Sequence, residues 1–197
     1  RLVAGWCTGD MRLFVAIIPP VEVVENLTDF LRPRRDAGAE LRWTDPEHLH
    51  LTLAFLPDVG EAGMDRLTEA LTERCAALPA AAMRLSGGNA FPNPYAARVL
   101  FAAAEPEPWL GKVARAARNA SGHAGVVVDG GRFHPHVTVA RLRRPTEATR
   151  WIRILQEYES PGWVAESACL VQSRLGQGRQ GRPLYDVLAE FPFAPAP

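Results

Sequence analysis

Two short stretches repeat one pattern at distant places in the chain: His48-Leu49-His50-Leu51-Thr52-Leu53 and His134-Pro135-His136-Val137-Thr138-Val139. Each sets a His-x-Thr step inside a run suited to a strand. Side chains alternate faces along a strand. His50 and Thr52 therefore face one way and Leu49, Leu51 and Leu53 the other, and His136 and Thr138 are set against Val137 and Val139 in the same manner. One face packs, and the other is left to chemistry. If the two strands serve one site, the fold must carry residue 136 to the side of residue 50, and this constrains the chain more than any other feature.

The remaining elements form two similar series around these strands. Arg12 to Ile18 is a nearly continuous apolar run closed by Pro19-Pro20 and reads as a buried strand. Val21 to Arg35 places Val23, Val24, Leu27, Phe30 and Leu31 on one helix face. Leu41 to Trp43 is a short strand, and the first motif strand runs from His48 to Leu56. Met64 to Leu78 has helical spacing and stops at Pro79. Met83 to Phe91 and Arg98 to Ala104 form a hairpin across Pro92-Asn93-Pro94-Tyr95. Trp109 to Ala120 is helical, Val126 to Val128 an edge strand, and Phe133 to Leu142 the second motif strand. Thr146 to Tyr158 reads as a helix. Trp163 to Ser173 and Leu184 to Phe191 pair around the glycine-rich loop Gly176 to Gly181. The recurrence predicts an α+β architecture of two related lobes around a central cleft, with no linker between independent domains. The domain is expected to span 11–193, with 1–10 an N-terminal extension and 194–197 a loose tail.

Composition restricts the partners. Basic and acidic residues balance at 22 each, so no overall field draws the protein to nucleic acid or membrane, and an anionic ligand must be held locally. Lys112 is the only lysine; the arginines supply fork-shaped donors suited to phosphate. Cys7, Cys75 and Cys169 are odd in number and scattered, which supports neither a disulfide framework nor a zinc motif and fits a reducing cytoplasm. No apolar run reaches the ~18 residues of a membrane span, and no charged-then-apolar leader opens the sequence. A cytoplasmic protein without membrane contact is expected.

Two imidazoles facing one small site can act as general acid and general base, because an ordinary pKa near ~6.5 lets one be charged and the other neutral. This suits phosphodiester chemistry without a metal or other cofactor. A threonine hydroxyl two residues along the same face, roughly 6 to 7 Å away, can donate to a phosphate oxygen. His48 and His134 share the catalytic face by parity, either as supports of the inner histidines or, with them, as a four-histidine metal cluster. The first reading is preferred. Phe55 falls on the face of Leu51 and Leu53 and reads as core, as do Phe14 and Trp43, while His123 and the Arg179 and Arg182 turn read as solvated.

The stretches RLFVAIIPP, LRWTDPEHLHLTLAFL, FHPHVTVARL and LVQSRLG…YDVLAEFPF resemble the LigT-type RNA 2′,3′-cyclic phosphodiesterases, or RNA 2′-5′ ligases, of the two-histidine phosphoesterase superfamily. The tetrads His50-Leu51-Thr52-Leu53 and His136-Val137-Thr138-Val139 match that family's defining HxTx elements. The resemblance implies a bilobal LigT-like fold, with two pseudo-symmetric lobes whose antiparallel sheets face a central cleft and whose helices lie outside. It also implies metal-independent opening of an RNA-terminal 2′,3′-cyclic phosphate to a 2′-phosphate; separately, a monomer is expected. In this resemblance His136 is the proton acceptor, His50 the proton donor, and Thr52 and Thr138 bind the nonbridging oxygens. Arg141 stands where the family carries an arginine, but on an ideal strand its parity opposes that of Thr138, so reaching the phosphate demands a twist or bulge. Phe91-Pro92 resembles a segment beside the cleft, where the aromatic ring is expected either to stack on a base or to pack in the core, and His134 matches a common HPH form. The competing functions are a phosphodiesterase for small cyclic nucleotides or ADP-ribose cyclic phosphate, and a non-catalytic RNA-end or nucleotide-binding module. A matched acid and base argue for catalysis over mere binding.

Overall fold

The computed structural model describes residues 11–37 and 41–196; the proposed extension 1–10, with Cys7, and the terminal Pro197 lie outside the described residues. A first series comprises β1 (Met11–Ile17), α1 (Val21–Ala37), β2 (Leu41–Trp43), β3 (Leu51–Val59) and α2 (Glu61–Ala76). It is followed by β4 (Ala81–Phe91), β5 (Ala97–Glu105), α3 (Glu107–His123), β6 (His136–Thr146) and α4 (Thr149–Gln156), and then by β7 (Trp163–Ala165), β8 (Ser167–Arg174) and β9 (Leu184–Pro192). The strands pair antiparallel in the order β7-β4-β5-β6-β3-β1-β8-β9, with β2 added to β6.

This path narrows at its centre. β3 and β6 are paired at Leu51 and Val137, the middle residues of the two His-x-Thr steps. On either side lie a lobe of β1, β3, β8 and β9 and a lobe of β4 to β7 with β2. Both joining residues are almost fully excluded from solvent, at 1% and 0% exposure. Truncating such a buried leucine to alanine costs about 2 to 5 kcal/mol.

The lobes also exchange helices. α1 follows β1, yet its Phe30 ring lies 4.9 Å from Tyr158, and Asn26 accepts a hydrogen bond from the Tyr158 hydroxyl, beyond the end of α4. α3 follows β5 but packs on α2 and β3. There the indole of Trp109 donates to the Pro79 carbonyl at 2.9 Å and meets Phe193 edge-on. The apolar faces of α1 (Val23, Leu27, Leu31) and α3 (Leu110, Val113, Ala117) both enter one continuous core. Gly88 allows α4 to approach the sheet, because a Cβ there would lie 2.4 Å from the Phe101 carbonyl and 2.8 Å from Leu155 Cβ.

Each motif strand bears a β-bulge at the fourth residue of its tetrad. Val15 pairs with Ala54 and Ala16 with Thr52, leaving Leu53 as the extra residue. Leu100 pairs with Ala140 and Phe101 with Thr138, leaving Val139 as the other. A bulge reverses the facing of everything beyond it. Phe55 therefore joins the face of Thr52, and Arg141 that of Thr138.

The structure corrects several local expectations. β3 continues through Pro57 to Val59, with Pro57 exposed at a register shift where a missing N–H costs little. No strand forms over Val126 to Val128: Val126 N–H bonds back to Ser121 at the end of α3, and Asp129 N–H makes a bond to Phe55. The final strand pair is split, with β7 on β4 and β8 on β9. Ala194, expected in a loose tail, exchanges backbone hydrogen bonds with Leu78 and Ala80.

Candidate active site

His50 immediately precedes β3, after a 3₁₀ turn over Pro46–His48, and His136 opens β6. The two imidazoles are held alike. His50 Nδ1 lies 2.7 Å from the His48 carbonyl and His136 Nδ1 lies 2.6 Å from that of His134. A carbonyl can only accept, so each Nδ1 carries the hydrogen and each Nε2 is the free, proton-exchanging nitrogen. The antiparallel pairing of Leu51 with Val137 sets His50 across from Thr138 and His136 across from Thr52. Four polar side chains from two distant stretches thus surround one point.

His50, Thr52, His136, Thr138 and Arg141 all line one cleft of about 570 Å³. Its walls add Arg12, Arg42 and Arg182, against the carboxylates of Asp45 and Asp129. The surroundings are therefore net positive and suited to an anion. The Phe14 ring stacks on His50 with centroids 4.6 Å apart, and Tyr185 meets the same imidazole edge-on at 5.4 Å. On the other side Phe91 meets His136 edge-on at 5.0 Å and stacks on Phe101 at 4.4 Å.

This packing sets the proton affinities. Burial pushes the His50 pKa down to about 4, partly opposed by the His48 carbonyl, with His136, His48 and Arg141 lowering it further. His136 is lowered for the same leading reason, with a contribution from Arg141. Both imidazoles are thus neutral near pH 7 in the free cleft. Burial also raises the Tyr185 hydroxyl pKa, while Arg141 and Arg12 pull it down.

The outer histidines divide differently from their sequence parity. His48 turns its ring into the cleft, 4.7 Å from Tyr185 and 3.9 Å from Asp45. His134 is exposed, its ring against Phe91, and it is its carbonyl that holds His136. Among the described residues no three His, Cys, Asp or Glu side chains converge to hold a metal, so the four histidines do not form one cluster. Phe91 braces His136 without lining the cleft, and Pro92 is exposed outside it. Phe55, expected in the core, is half-buried on the cleft wall beneath the Arg12 guanidinium, 4.4 Å from the ring centre. Arg182, expected to be solvated, pairs with Asp45 at 2.5 Å and lines the cleft, whereas Arg179 is exposed. Arg12, Arg42, Asp129, Ser173 and Tyr185 were not legible as site residues. Only Arg12 left a trace, through its shared parity with Phe14 in β1.

Comparison with known proteins agrees with this architecture. Residues 20–177 match the family described as the 2′-5′ RNA ligase superfamily. An RNA 2′,3′-cyclic phosphodiesterase of Thermus thermophilus is 36% identical over 195 residues, covering 92% of this chain and 89% of its own. One from Thermotoga maritima is 26% identical over 151 residues, covering 77% and 79%. In structure, a protein of Thermus thermophilus superposes with a TM-score of 0.71 at 31% identity, covering 93% and 98%. Escherichia coli LigT does so at 0.75 and 23% identity, covering 94% and 99%, which establishes the shared α+β fold. The chain is an enzyme belonging to the 2′-5′ RNA ligase superfamily.

Proposed function

We propose that the protein hydrolyses the 2′,3′-cyclic phosphate at an RNA end to a 2′-phosphomonoester, without a metal, by paired histidine acid/base catalysis. The observation that carries this reading is the crossed arrangement at the lobe junction, where each imidazole faces the other tetrad's threonine across a single strand pair. Water attacks phosphorus while His136 Nε2 takes its proton; the P–O3′ bond breaks and His50 Nε2–H protonates the departing 3′ oxygen. Thr52, Thr138 and Arg141 neutralise the charge that grows on the nonbridging oxygens. The order of the two histidines follows the family resemblance.

The acid must carry a proton that the free cleft withholds. A phosphate anion ~4 Å from the His50 imidazolium contributes about 4 kcal/mol at an effective dielectric constant of ~20, which exceeds the about 3 kcal/mol by which the site disfavours the charged ring. Substrate binding thus arms the acid. With a ribose 5′-hydroxyl in place of water as the attacking group, the same steps break P–O3′ and join ends through a 2′-5′ bond.

The test is incubation with RNA ending in a 2′,3′-cyclic phosphate and identification of the product's phosphate. A 2′-phosphate supports the reading. A 3′-phosphate overturns the polarity, and no turnover overturns the activity.

A further inference from the structure

A second cavity, of about 980 Å³, lies between α1, α4 and the β2–β6 ribbon. It is lined by Arg34, Arg143, Arg144 and Arg150, with Trp151 and Leu142 among its apolar walls. The chain as a whole is electrically balanced, so this charge is a local concentration. Among the described residues none of these four arginines is ion-paired to a carboxylate. Arg34 donates to the Phe30 carbonyl. The acid in the lining, Glu147, is turned to the Thr149 N–H at the start of α4, 2.8 Å away. Arg143, Arg144 and Arg150 are exposed, and guanidinium groups gathered on one groove present fork-shaped donors that match phosphate oxygens.

The cavity is continuous in sequence and register with the catalytic cleft. Arg42 pairs with Arg141 and both line the cleft; the adjacent pair, Leu41 with Leu142, lines the cavity on the opposite face of the same ribbon. Beyond Leu142, β6 continues to Thr146, and its Arg143 and Arg144 line the cavity. These lie two and three residues past Arg141, roughly 7 to 10 Å along the strand. Guanidinium groups beside an indole and aliphatic walls match the two faces of a single-stranded nucleic acid, phosphate and base.

We propose that this groove binds the single-stranded RNA preceding the reactive end, so that the chain leaves the cleft at Arg141 and wraps around β6 onto Arg143, Arg144 and Arg150. The proposal rests on the phosphodiesterase reading. Parent protein and R143E/R144E/R150E are compared on adenosine 2′,3′-cyclic phosphate and on an oligoribonucleotide of about ten nucleotides ending in the same group. The parent should prefer the oligonucleotide in kcat/KM. The variant should lose that preference about 10-fold or more while keeping mononucleotide turnover within twofold, and the salt dependence of the oligonucleotide KM should become shallower by up to about 2 in log–log slope. R143Q/R144Q/R150Q, which adds no repulsion, should move the same way by less. Equal loss on both substrates, a retained preference, or competition by polyglutamate as strong as by unreactive single-stranded RNA would overturn the groove. Turnover of neither substrate by the parent instead overturns the underlying reading.

Discussion

Replacing His50 by asparagine should flatten part of the acid sensitivity of the fold. Asparagine keeps an N–H donor for the His48 carbonyl but has no proton to gain. In the parent, burial holds His50 at a pKa of about 4, against the ordinary 6.5 of an unfolded chain. The unfolded state therefore takes up a proton that the folded state refuses. The associated stability is fully present above pH 6.5, is lost as pH falls from 6.5 towards 4, and changes no further below that. A depression of this size corresponds to about 3 kcal/mol. Urea denaturation of parent and His50→Asn at constant ionic strength, from pH 7 to pH 4, should show the parent losing about 3 kcal/mol more than the variant. An NMR titration of His50 Cε1 should give the low pKa directly and an upward shift on binding 2′-AMP. A stability difference that stays flat across this range, or a His50 resonance titrating near 6.5, would refute the burial argument and the substrate-armed acid with it.

Removing either imidazole, by His50→Ala or His136→Ala, should lower kcat by about 10² to 10⁴ with the fold intact by circular dichroism. Arg141→Gln, which leaves both histidines in place, should cost about 10²-fold in kcat/KM on a cyclic phosphate if the bulge at Val139 aims it at the phosphate. Activity should survive exhaustive chelation; loss with recovery on adding zinc would replace the acid/base reading by a metal-assisted one. Gly88→Ala should destabilise the protein by about 1 to 3 kcal/mol in denaturant titrations, since its methyl group meets the Phe101 carbonyl and Leu155.

What the sequence determined by itself is local: the alternation that puts His50 with Thr52 and His136 with Thr138, the helix faces of α1, α2 and α3, and the twofold recurrence of strand, helix and motif strand. These depend on chain geometry over a few residues and on burial of one face, and the same alternation that made them legible misplaced Phe55. Tertiary structure decided what depends on pairing register. The bulges at Leu53 and Val139 invert parity, taking Phe55 out of the core and bringing Arg141 to the cleft. The meeting of Leu51 with Val137 makes two half-sites into one. Arg12, Arg182 and Tyr185 reach that site from strands and loops remote in sequence, because an extra residue in a ladder and the closure of long loops leave no periodic mark on the segments they join.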